Sequence, residues 1–221
     1  MEREFWLARW DRQEIGFHQP RVNPFLQKLW PEVGVPGDSA VFVPLCGKSL
    51  DLGWLAQQGH VVFGVELAET AVRAFYHEAG EPFRVERLRH LVQYTGGRVT
   101  IFCGDFMDLT ALHLPGVKGV YDRGALVALP PKLRAHYADH LQRIVPDACR
   151  MLLLTVEYDQ ARVPGPPHAV GEAEVNALFG ARCQVERLCS APVVAADLPP
   201  SFAQGGVEEA VEVAYCVVKR F

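Results

Sequence analysis

Short apolar runs bounded by turn-forming residues recur through most of the chain after Asp38. Runs of this kind predict β-strands when they are a few residues long and rich in branched or aromatic side chains. Seven of them fit this description, at residues 41–43, 61–65, 99–103, 119–122, 151–156, 183–189 and 210–219.

Amphipathic stretches lie between these runs and predict helices, because their apolar side chains return with a period of about 3.6 residues. They cover residues 21–30, 50–58, 69–79, 132–145 and 172–179. Ordinary helix stop signals follow four of them, namely Pro31, Gly59, Gly80 and Gly180.

Alternation of strands with helices predicts βαβ units, and therefore an α/β, Rossmann-like fold with a mostly parallel, seven-stranded sheet. The last two strands follow one another directly, so the terminal strand is expected to be antiparallel. We expect one domain over residues 1–221. Its N-terminal helical lid would cover residues 1–36, where aromatic residues cluster, and its core would cover residues 37–221.

Composition narrows the functional classes. The 221 residues include 49% hydrophobic and 22% charged residues, as in ordinary globular proteins, and the net charge is -4. This charge argues against nucleic-acid binding, which needs a basic excess. We expect no membrane span, no signal peptide and a cytoplasmic location. The six cysteines form no C-x-x-C pair, so we expect reduced thiols and no metal site.

The loop after the first strand reads Cys46-Gly47-Lys48-Ser49, like the end of a phosphate-binding P-loop. A P-loop also needs a glycine at position 42, where Phe42 stands. The dinucleotide fingerprint G-x-G-x-x-G is absent too. Glu66 ends the second strand about 19 residues after Gly47, and an acid there can bind a ribose diol. Gly47 and Glu66 are thus candidates for binding a nucleoside without a pyrophosphate, such as S-adenosylmethionine (SAM).

Two further strand ends carry candidate chemistry. Asp105 and Phe106 follow the third strand, where an adenine amine could be bonded and its ring packed, although Gly104-Asp105 also suits a plain turn. Asp122 and Arg123 end the fourth strand, where methyl donor and acceptor would meet. A surface ion pair would look the same in sequence.

Several longer stretches resemble the thiopurine S-methyltransferase family, particularly its bacterial branch. They are FWLARWDRQEIGFHQ, VPLCGKSLDLGWLAQQGHVVFGVE, YDRGALVALPP, and EYDQARVPGPP followed by EAEVNALFG. The resemblance implies a SAM-dependent methyltransferase fold and methyl transfer to sulfur or a heavier chalcogen. It implies SAM contacts from Trp10, Leu45, Glu66 and Arg123, and it favours a monomer.

These implied contacts have physical roles. Trp10 would bring an aromatic face to the cationic sulfonium or its surroundings. Leu45 would act through its backbone on the methionine portion. Arg123 would pair either the methionine carboxylate or an anionic acceptor.

The acceptor side departs from the family pattern. His168 stands where the family commonly has Phe after Pro-Gly-Pro-Pro, and no Lys or Arg occurs between Arg187 and Lys219. Phe17, His18, Arg123 and His168 are the candidate substrate contacts. His18, Asp122 and His168 are candidates for a catalytic base, but each also suits a polar lid or loop residue, and none is assigned. His136 and His140 are interpreted as surface histidines, since no third metal ligand is evident.

Three functions remain open at this point. The first is S-methylation of aromatic or heterocyclic thiols such as thiopurines. The second is methylation of tellurite, selenium species or small thiols, which the altered acceptor segment motivates. The third is a non-catalytic domain that binds SAM.

Overall fold

In the computed structural model, which describes residues 3–193, 200–207 and 209–220, nine strands form one sheet. The strands are β1 (Ala40–Val43), β2 (Val61–Glu66), β3 (Arg84–Arg87), β4 (Val92–Gly96), β5 (Val99–Cys103), β6 (Val117–Asp122), β7 (Arg150–Glu157), β8 (Cys183–Pro192) and β9 (Val211–Lys219). Their order across the sheet is β3-β4-β5-β2-β1-β6-β7-β9-β8.

The parallel part of the sheet is central and is formed by β5, β2, β1, β6 and β7. Strands β8 and β9 pair antiparallel at one edge of the sheet, as the two successive terminal runs predicted, and β9 lies between β7 and β8, which they did not predict. All seven predicted strands are confirmed. The four central strand pairings are parallel. The carboxyl ends of β1, β2, β5 and β6 therefore lie at the same edge of the sheet, where ligands bind in such folds.

Two strands were not predicted. Strands β3 and β4 extend the sheet antiparallel beyond β5, so the antiparallel share is larger than expected. All four β3 residues are exposed, and their sequence RVER has only one apolar residue. An edge strand of this kind carries no apolar run, which explains why the hydrophobic pattern missed it.

Helices cover both faces of the sheet. They are α1 (Arg3–Asp11), α2 (Pro24–Val33), α3 (Leu50–Gln57), α4 (Glu69–Ala79), α5 (Pro131–Ile144), α6 (Glu172–Phe179) and α7 (Pro200–Gln204). Apolar side chains of α2, α3 and α4 form the core on one face, and those of α5 and α6 form it on the other.

The first predicted helix is wrong at both ends. Helix α2 starts at Pro24 because the Asn23 side chain caps it, accepting hydrogen bonds from the backbone N–H groups of Phe25 and Leu26. Pro31 does not stop the helix, which continues to Val33 and ends at Gly34 in a left-handed conformation. Burial of the adjacent apolar face offsets the one hydrogen bond that a proline removes. The second half of the predicted lid therefore packs in the core.

The six cysteines are free thiols, and four of them are buried. None of the helices in the described ranges has the length and apolar character that a bilayer span requires.

Candidate functional site

A cavity of about 730 Å³ opens at the carboxyl edge of the parallel strands. The loop residues Leu45 and Gly47, the β2 residue Glu66, and Arg123 after β6 line it. Residues of α1 and of the segment up to α2 cover it, including Trp10 and Phe17. Six of the seven residues predicted to bind the cofactor come from four strand ends, and the fold brings them to one cavity together with Trp10.

The loop after β1 folds back onto the end of β2. Leu45 has a φ of 45° and Gly47 a φ of 55°, so the chain turns sharply between them. The Cys46 N–H donates to the Val65 carbonyl at 2.9 Å, and the Gly47 N–H donates to Glu66 Oε2 at 2.9 Å. This arrangement closes the loop around a carboxylate and leaves no phosphate cradle.

Lys48 takes no part in the cavity lining. Its Nζ lies 2.6 Å from Glu78 Oε1, so its charge is already paired. The loop lacks the P-loop glycine at position 42, and its lysine is paired with Glu78. Both observations indicate that the loop does not bind a phosphate.

Glu66 is buried with both carboxylate oxygens engaged. Oε2 accepts from Gly47, and Oε1 accepts from the Ala68 N–H at 2.8 Å. Burial raises the pKa of Glu66, and backbone hydrogen bonds from Ala68, Gly47 and Leu67 oppose the rise. A carboxylate has about four lone-pair sites, so acceptor capacity remains for a ligand in the cavity.

Trp10 packs directly on the loop. Its Cζ2 lies 3.2 Å from the position that a Cβ on Gly47 would occupy. The ring also contacts Phe17 edge to face, at 5.5 Å between ring centroids, and packs with Ala68 and Ala71. The N-terminal segment thus rests on the same loop that Glu66 holds.

Arg123 is oriented by a buried acid that the sequence analysis did not single out. Its Nε lies 3.5 Å from Asp51 Oδ2, at the start of α3. Asp51 also accepts hydrogen bonds from the Asn23 N–H at 2.9 Å and the Tyr121 hydroxyl at 3.0 Å. The only signal in the sequence was an acid two residues after the capping Ser49.

The residues after β5 form another wall. Asp105 is exposed, and its Oδ1 caps the following turn by accepting from the Met107 N–H. Phe106 is buried and packs against Tyr137, at 5.0 Å between ring centroids, and His140, at 4.9 Å. Both Asp105 and Phe106 line the cavity.

The interpretation of the two α5 histidines is half wrong. His136 is exposed and also lines the cavity, which the sequence did not reveal. His140 is buried against Phe106, and burial lowers its pKa. The two histidines share one face of α5, being one helical turn apart, and they differ because Phe106 covers His140.

Asp122 is structural in this arrangement. It is fully buried and lies outside the cavity lining. Oδ2 accepts from the Tyr137 hydroxyl at 2.7 Å, and Oδ1 accepts from the Ala125 and Leu126 N–H groups. A carboxylate held in this way fixes the turn after β6, so we assign it no role as a base.

The two histidines predicted to contact the substrate do not line the cavity. His18 is half-buried, and its pKa is lowered by burial and by nearby Lys48. His168 is buried with its ring against Gly165, and its backbone N–H donates to the Val127 carbonyl at 2.7 Å. Pro166 and Pro167, which precede it, line the cavity instead. His168 therefore packs behind this part of the cavity wall.

The part of the cavity beyond β7 has mainly apolar walls. Val156, Pro166, Pro167, Pro192, Val193 and Phe202 line it. Three charged residues also line the cavity. Arg21 and Lys28 are contributed by the N-terminal part of the chain, and Glu212 is contributed by β9. Arg21 and Lys28 were missed because no spacing rule links them to β7. Residues 194–199 and 208 of the altered acceptor segment lie outside the described residues.

Comparisons with known proteins match this chain to one family over nearly its whole length. Residues 1–220 match the family model described as thiopurine S-methyltransferase (TPMT). The chain is 48% identical to a thiopurine S-methyltransferase of Azotobacter vinelandii, covering 100% of both chains. It is 46% identical to one of Pseudomonas fluorescens strain Pf0-1, covering 97% of this chain and 98% of the relative.

A solved structure shows the same fold at low sequence identity. A SAM-dependent methyltransferase from Anabaena variabilis superimposes with a TM-score of 0.69 at 12% identity, over 99% of this chain and 95% of that one. The predicted Rossmann-like methyltransferase fold is confirmed. The predictions of a SAM cofactor and of a methyltransferase of the EC 2.1.1 class are confirmed by the family match. This chain belongs to the thiopurine S-methyltransferase family.

Proposed function

We propose that this protein transfers the methyl group of SAM to the sulfur of an aromatic or heterocyclic thiol. The observation that carries this proposal is the continuity of one cavity from Glu66 and Gly47 to the apolar walls beyond β7. A large cavity with mainly apolar walls and few polar groups suits a planar organic ligand. Thiopurines belong to this class of acceptor.

The donor end fits SAM in its residue chemistry. The Glu66 carboxylate, which keeps acceptor capacity beyond its backbone hydrogen bonds, suits the ribose hydroxyls. The Phe106 ring would pack beside the adenine. The Asp105 carboxylate would accept a hydrogen bond from the adenine amine. Leu45 and Gly47 expose backbone beside the methionine portion, and Trp10 closes over them.

Bound SAM supplies a methyl on a cationic sulfur: the acceptor sulfur's lone pair forms the new S–C bond, and the old bond's electron pair leaves with S-adenosylhomocysteine. The chain aligns the two sulfurs and excludes water, which are the main demands of an in-line displacement. No side chain is assigned as a base. A thiol acidic enough to ionise near neutral pH gives its proton to water before transfer.

Methylation of tellurite or selenium oxyanions is the second candidate. The basic side chain of Lys28, which lines the cavity, favours an anion there. The apolar walls weigh against it, because transfer of a small hydrated anion to such surroundings is unfavourable. That the protein is monomeric and cytoplasmic stays a prediction from the sequence.

A turnover assay separates these candidates. Formation of S-adenosylhomocysteine should be measured with thiopurines, thiophenols, small aliphatic thiols, tellurite and selenite at equal concentrations. We expect kcat/KM to be highest for the aromatic and heterocyclic thiols. Turnover of oxyanions alone would contradict the proposal, and SAM binding without turnover of any acceptor would favour the non-catalytic reading.

The Gly47→Ala variant tests the packing of the SAM loop. An alanine would be strained at a φ of 55°, and its Cβ would press on Trp10 at 3.2 Å. A left-handed conformation costs an L-residue about 1–2 kcal/mol, so we expect SAM affinity to fall about tenfold or more in titration calorimetry. Gly53→Ala is the control, because nothing lies within 4 Å of its Cβ position and its helix should tolerate alanine. Equal affinity of both variants would contradict this role of Gly47.

A further inference from the structure

Lys28 of helix α2 lines the cavity at the end that lies beyond β7. Its position follows from its effect on a thiol of the outermost strand. Partial burial raises the pKa of Cys189 on β8, and the nearby Lys28 ammonium group lowers it. Lys28 therefore lies on the β8 side of the cavity, away from the loop of Leu45 and Gly47.

The charge of Lys28 has no counter-ion among the described residues. Two other lysines of the chain are paired. Lys48 Nζ lies 2.6 Å from Glu78 Oε1, and Lys219 Nζ lies 3.0 Å from Asp147 Oδ1. Lys28 thus brings an uncompensated positive charge to the cavity wall.

The other charged groups at this end do not offer the same opportunity to a ligand. Glu32 is exposed on α2, one helical turn beyond Lys28, and lies outside the cavity lining. Arg21 and Glu212 line the cavity, and each already has an interaction partner. Residues 188–218 contain no Lys or Arg, so β9 and the end of β8 add no cation. An anion in this part of the cavity can therefore pair with Lys28.

The surroundings of Lys28 favour an anion that is attached to an apolar group. Phe25, Ala191, Pro192 and Val193 line the same end of the cavity. Apolar walls displace water, so a charge beside them attracts an opposite charge more strongly than it would in bulk water. A small hydrated anion would leave these walls uncovered. An aromatic ring with one anionic substituent would cover the walls and pair with the ammonium group.

The sheet leaves room for such a ring between the reacting sulfur and Lys28. The acceptor sulfur is expected to meet the methyl group near the end of β6, where Arg123 lines the cavity. Strands β7 and β9 separate β6 from β8. Neighbouring strands are about 4.8 Å apart, so the end of β6 lies roughly 14 Å from β8. The long Lys28 side chain covers part of this distance, and an aromatic acceptor covers the rest.

We propose that Lys28 determines acceptor specificity by pairing with an anionic substituent, such as a carboxylate, on the ring of the acceptor thiol. The proposal rests on the proposed thiol methylation and narrows its acceptors to aromatic thiols that carry a negative charge on the ring. The contact is remote from the reacting sulfur, so it stabilises the bound ground state and the transition state alike. Its loss should therefore raise the acceptor KM and leave kcat nearly unchanged.

Steady-state kinetics with matched acceptors tests this proposal. The acceptors are meta- and para-mercaptobenzoate and the corresponding mercaptobenzamides, which have the same shape without the charge. An ion pair at a solvent-accessible site changes affinity by up to about fivefold. We expect Lys28→Met to lower the ratio of kcat/KM for the carboxylate to kcat/KM for the amide by about fivefold, mainly through KM.

Two further variants and the salt dependence separate charge from packing. Lys28→Arg should keep the wild-type ratio, because it keeps the charge. Lys28→Glu should lower the ratio beyond Lys28→Met, because it repels the carboxylate. Added salt should lower the wild-type ratio toward that of Lys28→Met, since it screens a solvent-accessible pair.

Lys132→Met is the matched control. Lys132 is also an exposed helical lysine, has no counter-ion among the described residues and lies outside the cavity lining. It should keep the wild-type ratio. If Lys28→Met fails to fold, Lys28→Gln replaces it. An unchanged ratio in the Met and Glu variants of Lys28, with the amides still methylated, would overturn this inference and leave the proposed function standing. A wild-type protein that methylates no thiol would overturn both.

Discussion

Replacing Glu66 by glutamine is expected to weaken SAM binding at least about a hundredfold, and replacement by alanine still more. Two hydrogen bonds from ribose hydroxyls to a carboxylate would be lost or weakened, and each such bond contributes about 1.5–3 kcal/mol. The loop suffers as well. Both Glu66 oxygens accept from backbone N–H groups, at Gly47 and Ala68, so a glutamine amide nitrogen would face one of these donors.

Titration calorimetry with SAM and S-adenosylhomocysteine measures this loss, and thermal unfolding of the ligand-free protein separates it from misfolding. Glu86→Gln is a suitable control, since Glu86 is an exposed acid on edge strand β3, away from the cavity lining. It should bind SAM like the wild type. Retention of affinity within about threefold in Glu66→Gln would disprove the assignment of Glu66 to the ribose.

The hydrophobic pattern predicted the part of the fold that is set by local burial. Strand β5 and helices α4 and α6 begin and end at the predicted residues, because short buried runs and glycine stops define them. Strands β3 and β4 were invisible to this pattern, since pairing at a sheet edge does not need an apolar run. The continuation of α2 past Pro31 depends on core packing that the local sequence does not contain.

The residues of the candidate site likewise fall into those that the local sequence predicts and those that it does not. Glu66 and Gly47 were predicted because a strand end and a loop at fixed spacing follow from the βαβ unit itself. Asp51 was not, because its contacts with Asn23, Tyr121 and Arg123 join distant parts of the chain. The position of His168 behind Pro166 and Pro167 likewise follows from the path of the loop, which its neighbours in sequence do not determine.

The Arg123–Asp51 pair bears on the question that the sequence left open for Arg123. Strand β6 lies next to β1 in the sheet, and Asp51 lies in the first turn of α3, the helix that follows the loop of Leu45 and Gly47. The guanidinium is therefore held on the loop side of the cavity. We propose that Arg123 pairs with the methionine carboxylate of SAM, in keeping with its several N–H donors.

We expect Arg123→Gln to weaken SAM binding about 30-fold or more, because the proposed charge-assisted pair between the partly buried guanidinium and the methionine carboxylate would be lost. Asp51→Asn should cause a smaller loss, since it leaves the charge of Arg123 but loosens its orientation. Calorimetry gives the SAM affinity, and steady-state kinetics gives the acceptor KM. Arg73→Gln is the matched control, because Arg73 forms an exposed ion pair with Glu69 that should have no effect on either value. A raised acceptor KM with unchanged SAM affinity would instead assign Arg123 to the acceptor.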